Sequence, residues 1–383
     1  MSSLQYNTHY PSIDDIRNKA RKKIPRFAFE YMDGGCNEDV NLAKNTDEIR
    51  QIELVPHYLA SRGAVDIKTE LFGHVYDAPM GICPIGLQGL MWPGAPKILA
   101  KAAVDHNIPF ILSTMATSDI EEISKITDGR AWFQLYHPRD NELKNKIIQR
   151  CQDAQVPVLV LLCDVPTFAY RPRDIRNGLA LPPKMTIQNV LQMIGRPHWS
   201  WSTLIEGAPQ FANLLPYIPK GLDLGRLGLF MNQTFSGVMN EEKIKPIRDQ
   251  WKGKIVMKGI ACAEDMDMCI RLGLDGVMLS NHGGRQLDAA QSTIATLKDL
   301  APKYKDKIKI MMDSGIRSGP DIARTMAIGA DFAFLGRTFM YSVAALGKEG
   351  GQHAIAMLKI QLQQVMEQIG CDQIKNLNQH LVK

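Results

Sequence analysis

The sequence predicts an α/β fold of the TIM, or (β/α)8, barrel class, with an N-terminal helical extension and one long loop after the fourth strand. Three observations carry this. Eight short runs are apolar on both faces, as parallel strands buried on each side must be. Each run is followed by a segment of helical period. Nearly every run ends on a polar residue, as strands do at the catalytic rim of a barrel. A chain of 383 residues, 45% of them hydrophobic, is long enough for one such core.

In order along the chain, residues 1–75 form the extension, where Ser12-Ile13-Asp14-Asp15-Ile16 has the form of a capped helix start that Pro25 brings to an end. The barrel is expected over 79–350, with strands at 79–83, 110–113, 131–134, 158–163, 254–258, 276–279, 308–312 and 332–335. Their starts follow at the spacing of βα units except after the fourth, where a segment at about 182–227 is inserted. It holds Trp199, Trp201, several prolines and the apolar patch Phe211-Ala212-Asn213-Leu214-Leu215, and it is expected to form a lid or contact surface. Residues 351–383 make a helix and tail. Ile355, Leu358, Leu362, Val365 and Ile369 share one face, Gly370 is the stop, and the helix should pack on the outside of the barrel. All of this reads as one domain, 1–383.

A formal charge of +5 arises from mixed signs without a basic tail, so nucleic acid is not an expected partner. The pI near 8.7 is compatible with anionic small substrates or an anionic membrane surface and selects neither. Seven cysteines show no C-x-x-C pair and no zinc spacing, and no metal is expected. Without a secretory apolar segment, the reducing cytoplasm is the expected location. The longest purely apolar run, 158–163, is far too short to span a bilayer, so membrane contact is expected to be peripheral, on the inner face of the cell membrane.

The polar strand ends are Ser113, Gln134 with Tyr136, Asp164, Lys258, Ser280-Asn281-His282, Asp313 and Gly336-Arg337. The last two loops, Asp313-Ser314-Gly315-Ile316-Arg317-Ser318-Gly319 and Leu335-Gly336-Arg337, combine glycines that admit a phosphate to the backbone with arginines that bind it, at the usual phosphate site of this fold. Turn-forming glycines and a solvated arginine are the plainer alternative. Lys258 ends an apolar strand, which suits a Schiff base or a cation beside a developing anion, with a salt-bridged structural lysine as the plainer alternative. Ser280-Asn281-His282-Gly283-Gly284-Arg285-Gln286-Leu287-Asp288 places an imidazole three residues before a guanidinium on a flexible loop. A base beside a carboxylate binder is what oxidation of a hydroxy acid needs. The structural alternative pairs Arg285 with Asp288.

These residues resemble the FMN-dependent L-2-hydroxy-acid oxidising family, which includes glycolate and lactate oxidases, mandelate dehydrogenase and the respiratory L-lactate dehydrogenases. The resemblance runs from Tyr31-Met32-Asp33-Gly34-Gly35 to the C-terminal helix and is most specific at 280–288, 313–317 and Trp132-Phe133-Gln134-Leu135-Tyr136. Among members, the chain looks closest to the respiratory L-lactate dehydrogenases. The resemblance implies that Pro84, Ile85, Gly86, Ser113, Gln134, Lys258 and Ser280 surround the FMN ring. Asp313 then holds the ribityl chain, and Gly315, Arg317, Gly336 and Arg337 the phosphate. It further implies His282 as the base, Asp164 as its partner, Arg171 and Arg285 on the substrate carboxylate, and Tyr31 and Tyr136 on substrate oxygens. Under it, Lys258 stabilises reduced flavin rather than forming a Schiff base. Two positions depart from the pattern or vary within it: Leu162 stands where members usually carry a threonine, and Met115 lies near the substrate side chain.

The leading expectation is oxidation of L-lactate to pyruvate with electrons passed to a quinone, the 182–227 loop touching the bilayer. The alternatives are a soluble oxidase that makes hydrogen peroxide from oxygen, an enzyme of larger or peptide-derived hydroxy acids, and a flavin-binding protein that has lost catalysis. Both proton abstraction from the hydroxyl with hydride transfer and abstraction of the α-proton use the same base. A homotetramer is implied by the resemblance alone.

Overall fold

The computed structural model describes residues 6–59, 63–179, 184–219, 234–235 and 237–382; the parts of the insertion at 182–183 and 220–227 lie outside them. Ser12 opens the first helix, Ile13–Lys23, through a capping box with Asp15. Helices Arg26–Asp33 and Val40–Arg50 follow, then an antiparallel hairpin of β1 (Thr69–Leu71) and β2 (His74–Tyr76). The hairpin sits at the N-terminal ends of the barrel strands, where Phe72 packs on Trp132 and Tyr76 on Phe332.

The barrel strands are β3 (Met80–Ile82), β4 (Ile111–Ser113), β5 (Trp132–Leu135), β6 (Val158–Leu162), β7 (Lys254–Ile260), β8 (Gly276–Leu279), β9 (Lys309–Met312) and β10 (Phe332–Leu335). They form one parallel sheet in the order β3-β10-β9-β8-β7-β6-β5-β4, and a bridge between Ile82 and Phe110 joins its two edges. The fold class is therefore the one expected. The β7 strand runs past Lys258, with a register shift between Lys258 and Ile260.

Alternation along each strand sorts the side chains. Ile111, Trp132, Val158, Val160, Val256, Met278, Met311, Phe332 and Phe334 belong to the barrel interior, while the residues between them pack under the helices. Two residues further along each strand, the same inward direction leads to Ser113, Gln134, Leu162, Lys258, Ser280 and Asp313, all buried. These form the floor of the mouth.

The insertion folds into helices Ile187–Ile194 and Pro197–Glu206 and a short turn of helix at Leu215–Tyr217. The expectation of a lid or contact surface divides here. Asn213 and Leu214, in the apolar patch at 211–215, are buried against the barrel. Trp199 is also core, donating its indole N–H to Met91 O at 3.2 Å. The exposed apolar residues lie elsewhere: Ile187, Leu191 and Ile194 on one helix and Trp201, Leu204 and Ile205 on the next are between 63% and 83% exposed. In contrast, the C-terminal helix Gly350–Ile369 buries its apolar face and stops at Gly370 (φ 78°). Among the described residues, no helix is long and apolar enough to cross a membrane.

Candidate active site

His282 follows β8 on a turn in which it, Gly283 and Gly284 all have positive φ (58°, 68° and 73°). A histidine there is strained, and the surroundings hold it. Its N–H donates to Ser280 Oγ at 3.0 Å, Gly283 N–H to Ser314 Oγ at 2.9 Å, and Gly284 N–H to Asn281 Oδ1 at 3.1 Å. Asn281 is braced in turn by Asn41 and Asn45 from helix Val40–Arg50. Gly284 is required because a Cβ there would stand 2.5 Å from Leu42 N.

This turn aims His282 Nδ1 at Asp164 Oδ1, 3.1 Å away. A carboxylate facing Nδ1 fixes the proton there and leaves Nε2 with its lone pair outward. Burial lowers the His282 pKa, Asp164 works against that, and the net shift is downward, so the imidazole is neutral at pH 7. Asp164 stays ionised: burial raises its pKa, but His282 and Lys258 outweigh it. Asp164 follows β6, and Gly259, at the register shift of β7, makes room for it, since a Cβ would stand 2.6 Å from Asp164 Cβ. Asp164 Oδ2 is buried without a hydrogen-bond partner, with Lys258 Nζ 3.8 Å away.

Lys258 crosses the floor. Its Nζ lies 2.9 Å from Asp313 Oδ2 and donates to Ser280 Oγ at 2.7 Å. Cys83 also donates its S–H to Asp313, at 3.4 Å. Burial opposes the charge on Lys258, yet Asp313 and Asp164 prevail and its pKa is raised. A Schiff-base lysine needs a neutral amine. The contacts of Lys258 with Asp313 and Asp164 favour the ammonium, which speaks against a Schiff base.

Four arginines complete the mouth in two pairs. Arg285 donates to the carbonyls of Tyr31 (2.6 Å) and Gly34 (2.7 Å), and its guanidinium lies 5.0 Å from the centre of the Tyr31 ring. Arg171 lies beside it, donating to Arg285 O and Gln286 Oε1. Arg337 donates to the carbonyls of Met32, Gly283 and Gly34, and Arg317 to Ile316 O. Burial first, then Arg171, lowers the Arg285 pKa; burial first, then Arg317, pulls Arg337 down to about 9. These guanidiniums crowd one another and bond mainly to carbonyls, with Asp174 3.8 Å from Arg171, so an anion at each pair would add counter-charge. The Arg317 and Arg337 pair also adjoins the starts of helices Gly319–Ile328 and Arg337–Leu346, where backbone N–H groups favour a phosphate. The alternative pairing of Arg285 with Asp288 does not occur; Asp288 accepts from the backbone N–H groups of Glu38 and Asn41.

The remaining expected residues surround this centre. Tyr136 follows β5, and burial, then the charge of Asp164, raises its pKa. Tyr31 lies on helix Arg26–Asp33 and is half-buried. Pro84, Ile85 and Gly86 follow β3, with Gly86 against the Met115 side chain. Gly315 follows β9, and Gly336 follows β10.

The FMN-dependent dehydrogenase family model matches residues 20–383. The chain belongs to this family. An FMN-dependent dehydrogenase needs a phosphate cradle and a polar floor for the flavin, and Arg317, Arg337, Asp313 and Lys258 fit both. Among relatives, the chain is 32% identical over 372 residues to the L-lactate dehydrogenase of Caulobacter sp. (strain K31), covering 97% of this chain and 98% of that protein. It is 34% identical over 367 residues to the (S)-mandelate dehydrogenase of Pseudomonas putida, covering 96% and 92%. The crystal structure of the monotopic membrane protein (S)-mandelate dehydrogenase superposes with a TM-score of 0.91 at 33% identity, covering 97% and 98%. The protein is thus an FMN-dependent oxidoreductase of the 2-hydroxy-acid dehydrogenase and oxidase family. Sequence reading passed over Gln286, which holds Arg171, and Asn41 and Asn45, which brace the His282 turn. The two asparagines stand four apart on the buried side of one helix, a polar spacing that was there to be noticed.

Proposed function

We propose that the protein oxidises L-lactate to pyruvate and passes the electrons to a quinone. The observation that carries the chemistry is His282, its Nδ1 3.1 Å from Asp164 Oδ1, beside the Arg171 and Arg285 pair; burial favours its neutral form. The guanidiniums bind the substrate carboxylate and so fix its α-carbon relative to Nε2. Tyr31 and Tyr136 hold the substrate oxygens, and Met115 borders the side chain. His282 Nε2 accepts one substrate proton, and Asp164 stabilises the imidazolium that results. When bound, FMN supplies the acceptor for the two electrons. Pro84, Ile85, Gly86, Ser113, Gln134, Lys258 and Ser280 surround its ring, Lys258 providing positive charge for the reduced form. Asp313 takes the ribityl chain, and Gly315, Arg317, Gly336 and Arg337 the phosphate.

The exposed stripes of Ile187–Ile194 and Pro197–Glu206 support peripheral contact with a bilayer, where a quinone is dissolved. The similar (S)-mandelate dehydrogenase structure is that of a monotopic membrane protein, which points the same way. We place the enzyme on the inner face of the cell membrane, working as one domain within a homotetramer; vesicle flotation and light scattering test these two points. Anaerobic titration with a panel of L-2-hydroxy acids tests the activity and ranks the substrates. Reduction of a quinone analogue without peroxide is expected in turnover, and peroxide release at the full turnover rate would replace the quinone by oxygen.

A further inference from the structure

We propose that Asn213 is a positioning residue through which the insertion sets the shape of the substrate-side wall; this rests on reading the mouth as a 2-hydroxy-acid site. Asn213 is 1% exposed, and its side chain is committed to the backbone of a single loop. Nδ2 donates to Ser113 O at 3.1 Å and to Ser118 O at 3.4 Å, while Oδ1 accepts from Ile120 N at 3.0 Å. The preceding residue adds a fourth bond, Ala212 N–H to Ala116 O at 3.1 Å.

The loop so gripped, 113–120, is the part of the rim that carries Ser113 and Met115. Its Thr114 hydroxyl donates to Gln134 O at 2.7 Å and accepts from Tyr136 N at 3.1 Å, so the same loop also fixes the backbone at Tyr136. One side of the loop rests on the barrel: Leu87 N–H donates to Met115 O at 2.8 Å and Gly89 N–H to Thr117 Oγ1 at 3.0 Å. The other side rests on Asn213 and Ala212. Asn213 is itself anchored, with its carbonyl accepting from Arg150 Nη1 at 2.7 Å and Leu214 buried next to it. Movement of the insertion therefore reaches Met115 through Asn213.

The chemistry of the contact makes this testable. Aspartate has the shape of asparagine and keeps the bond from Ile120 N, but it presents an acceptor to two carbonyls that require a donor. The loop must then withdraw, and Met115 with it. In Asn213→Ala, buried carbonyls and an N–H lose their partner outright.

The experiment uses the full-length, FMN-loaded enzyme and the variants Asn213→Asp, Asn213→Ala, Arg150→Gln and Leu214→Ala. Three quantities are read: the ratio of kcat/KM for L-lactate to that for the bulkier (S)-mandelate, the Kd of the matching 2-oxo acids from the flavin absorbance change, and Tm. Both Asn213 variants should shift the ratio by about fivefold or more, the size of one lost hydrogen bond, with KM moving more than kcat. The ratio of the 2-oxo-acid Kd values should move with it. Arg150→Gln should act in the same direction and less. Leu214→Ala, which cuts packing but no bond to the loop, should lower Tm and leave the ratio alone.

An unchanged ratio in Asn213→Asp overturns the proposal, as does an equal change in Leu214→Ala, which would make the effect one of stability. If neither Asn213 variant folds, an unchanged ratio in Arg150→Gln overturns it. A wild-type enzyme that neither binds nor is reduced by these acids overturns the functional reading and this proposal with it. Wild-type activity with an unaltered Asn213→Asp removes this proposal alone.

Discussion

The two arginine pairs at the barrel mouth have the same charge chemistry and different neighbours. Arg317 and Arg337 lie beside two helix starts, with Asp321 accepting from the Arg317 N–H and with Asp33 and Tyr341 in the field of Arg337. Arg171 and Arg285 lie beside the Tyr31 ring and within the field of Tyr136, with Arg171 also felt by His282. In both pairs two like charges crowd each other, which an anion would relieve. The first can only hold it. The second holds it where a proton can be removed, and the difference lies in the His282 and Asp164 pair rather than in the arginines.

The sharpest way to break this comparison is to remove the base. His282→Gln should keep its FMN and lower the rate of flavin reduction by substrate roughly 10²–10⁴-fold, the usual worth of a general base; anaerobic stopped-flow absorbance measures it. Asp164→Asn adds a test of sign. The active form of His282 is neutral and its pKa is lowered from 6.5, so kcat/KM in the wild type should hold as pH falls to 6.5 and be lost only below that. Asp164 raises the His282 pKa, so its removal should move this acid limb to still lower pH as well as slow the reaction. A pH profile whose limb moves upward would remove Asp164 from its role.

Smaller effects should separate the pairs from each other. Arg285→Lys keeps a charge but loses the planar fork. It should lower kcat/KM roughly 10- to 100-fold, as expected for a charge-assisted hydrogen bond, with FMN content unchanged. Arg317→Ala should do the reverse: raise the FMN dissociation constant by a similar roughly 10- to 100-fold and leave the substrate KM of the reloaded enzyme unchanged. Fluorescence of released FMN and steady-state kinetics give the two numbers for each variant. If both variants lose both ligands equally, the mouth is a single electrostatic site and the comparison fails.

Much of this was legible in the sequence because barrel strands are local objects. Runs such as 276–279 and 332–335 are apolar on both faces, and their last polar residues must emerge at one rim, so His282, Lys258 and Asp313 could be placed together without knowing any contact between them. The parts that stayed hidden depend on contacts between distant segments. Phe211-Ala212-Asn213-Leu214-Leu215 reads as an apolar surface patch, and only the fold shows that Leu214 is buried and that Ala212 and Asn213 bond to the loop at 113–120. Trp199 and Trp201 are alike in sequence, yet opposite faces of one helix make the first core and the second exposed. The state of Lys258 also needed geometry, since two carboxylates from β6 and β9 decide its charge.

The smallest expected effect concerns the floor that the flavin would share. Leu162 stands opposite Lys258 in the register of β6 and β7 and continues the inward set of Val158 and Val160, so its side chain meets the mouth among Ser113, Gln134, Ser280 and Asp313. An isobutyl group there offers the polar edge of a flavin no hydrogen bond. Leu162→Thr introduces a hydroxyl at the same inward position and, being smaller and β-branched, retains strand preference. One added hydrogen bond contributes about 1 kcal/mol, so FMN should bind roughly fivefold more tightly. The cost of the lost methyl groups works against this, and it falls on stability rather than on the flavin. Measuring the FMN dissociation constant and Tm on the same preparation separates the two. A lower Tm with tighter FMN is the expected pair, and weaker FMN would mean that Leu162 itself packs on the flavin.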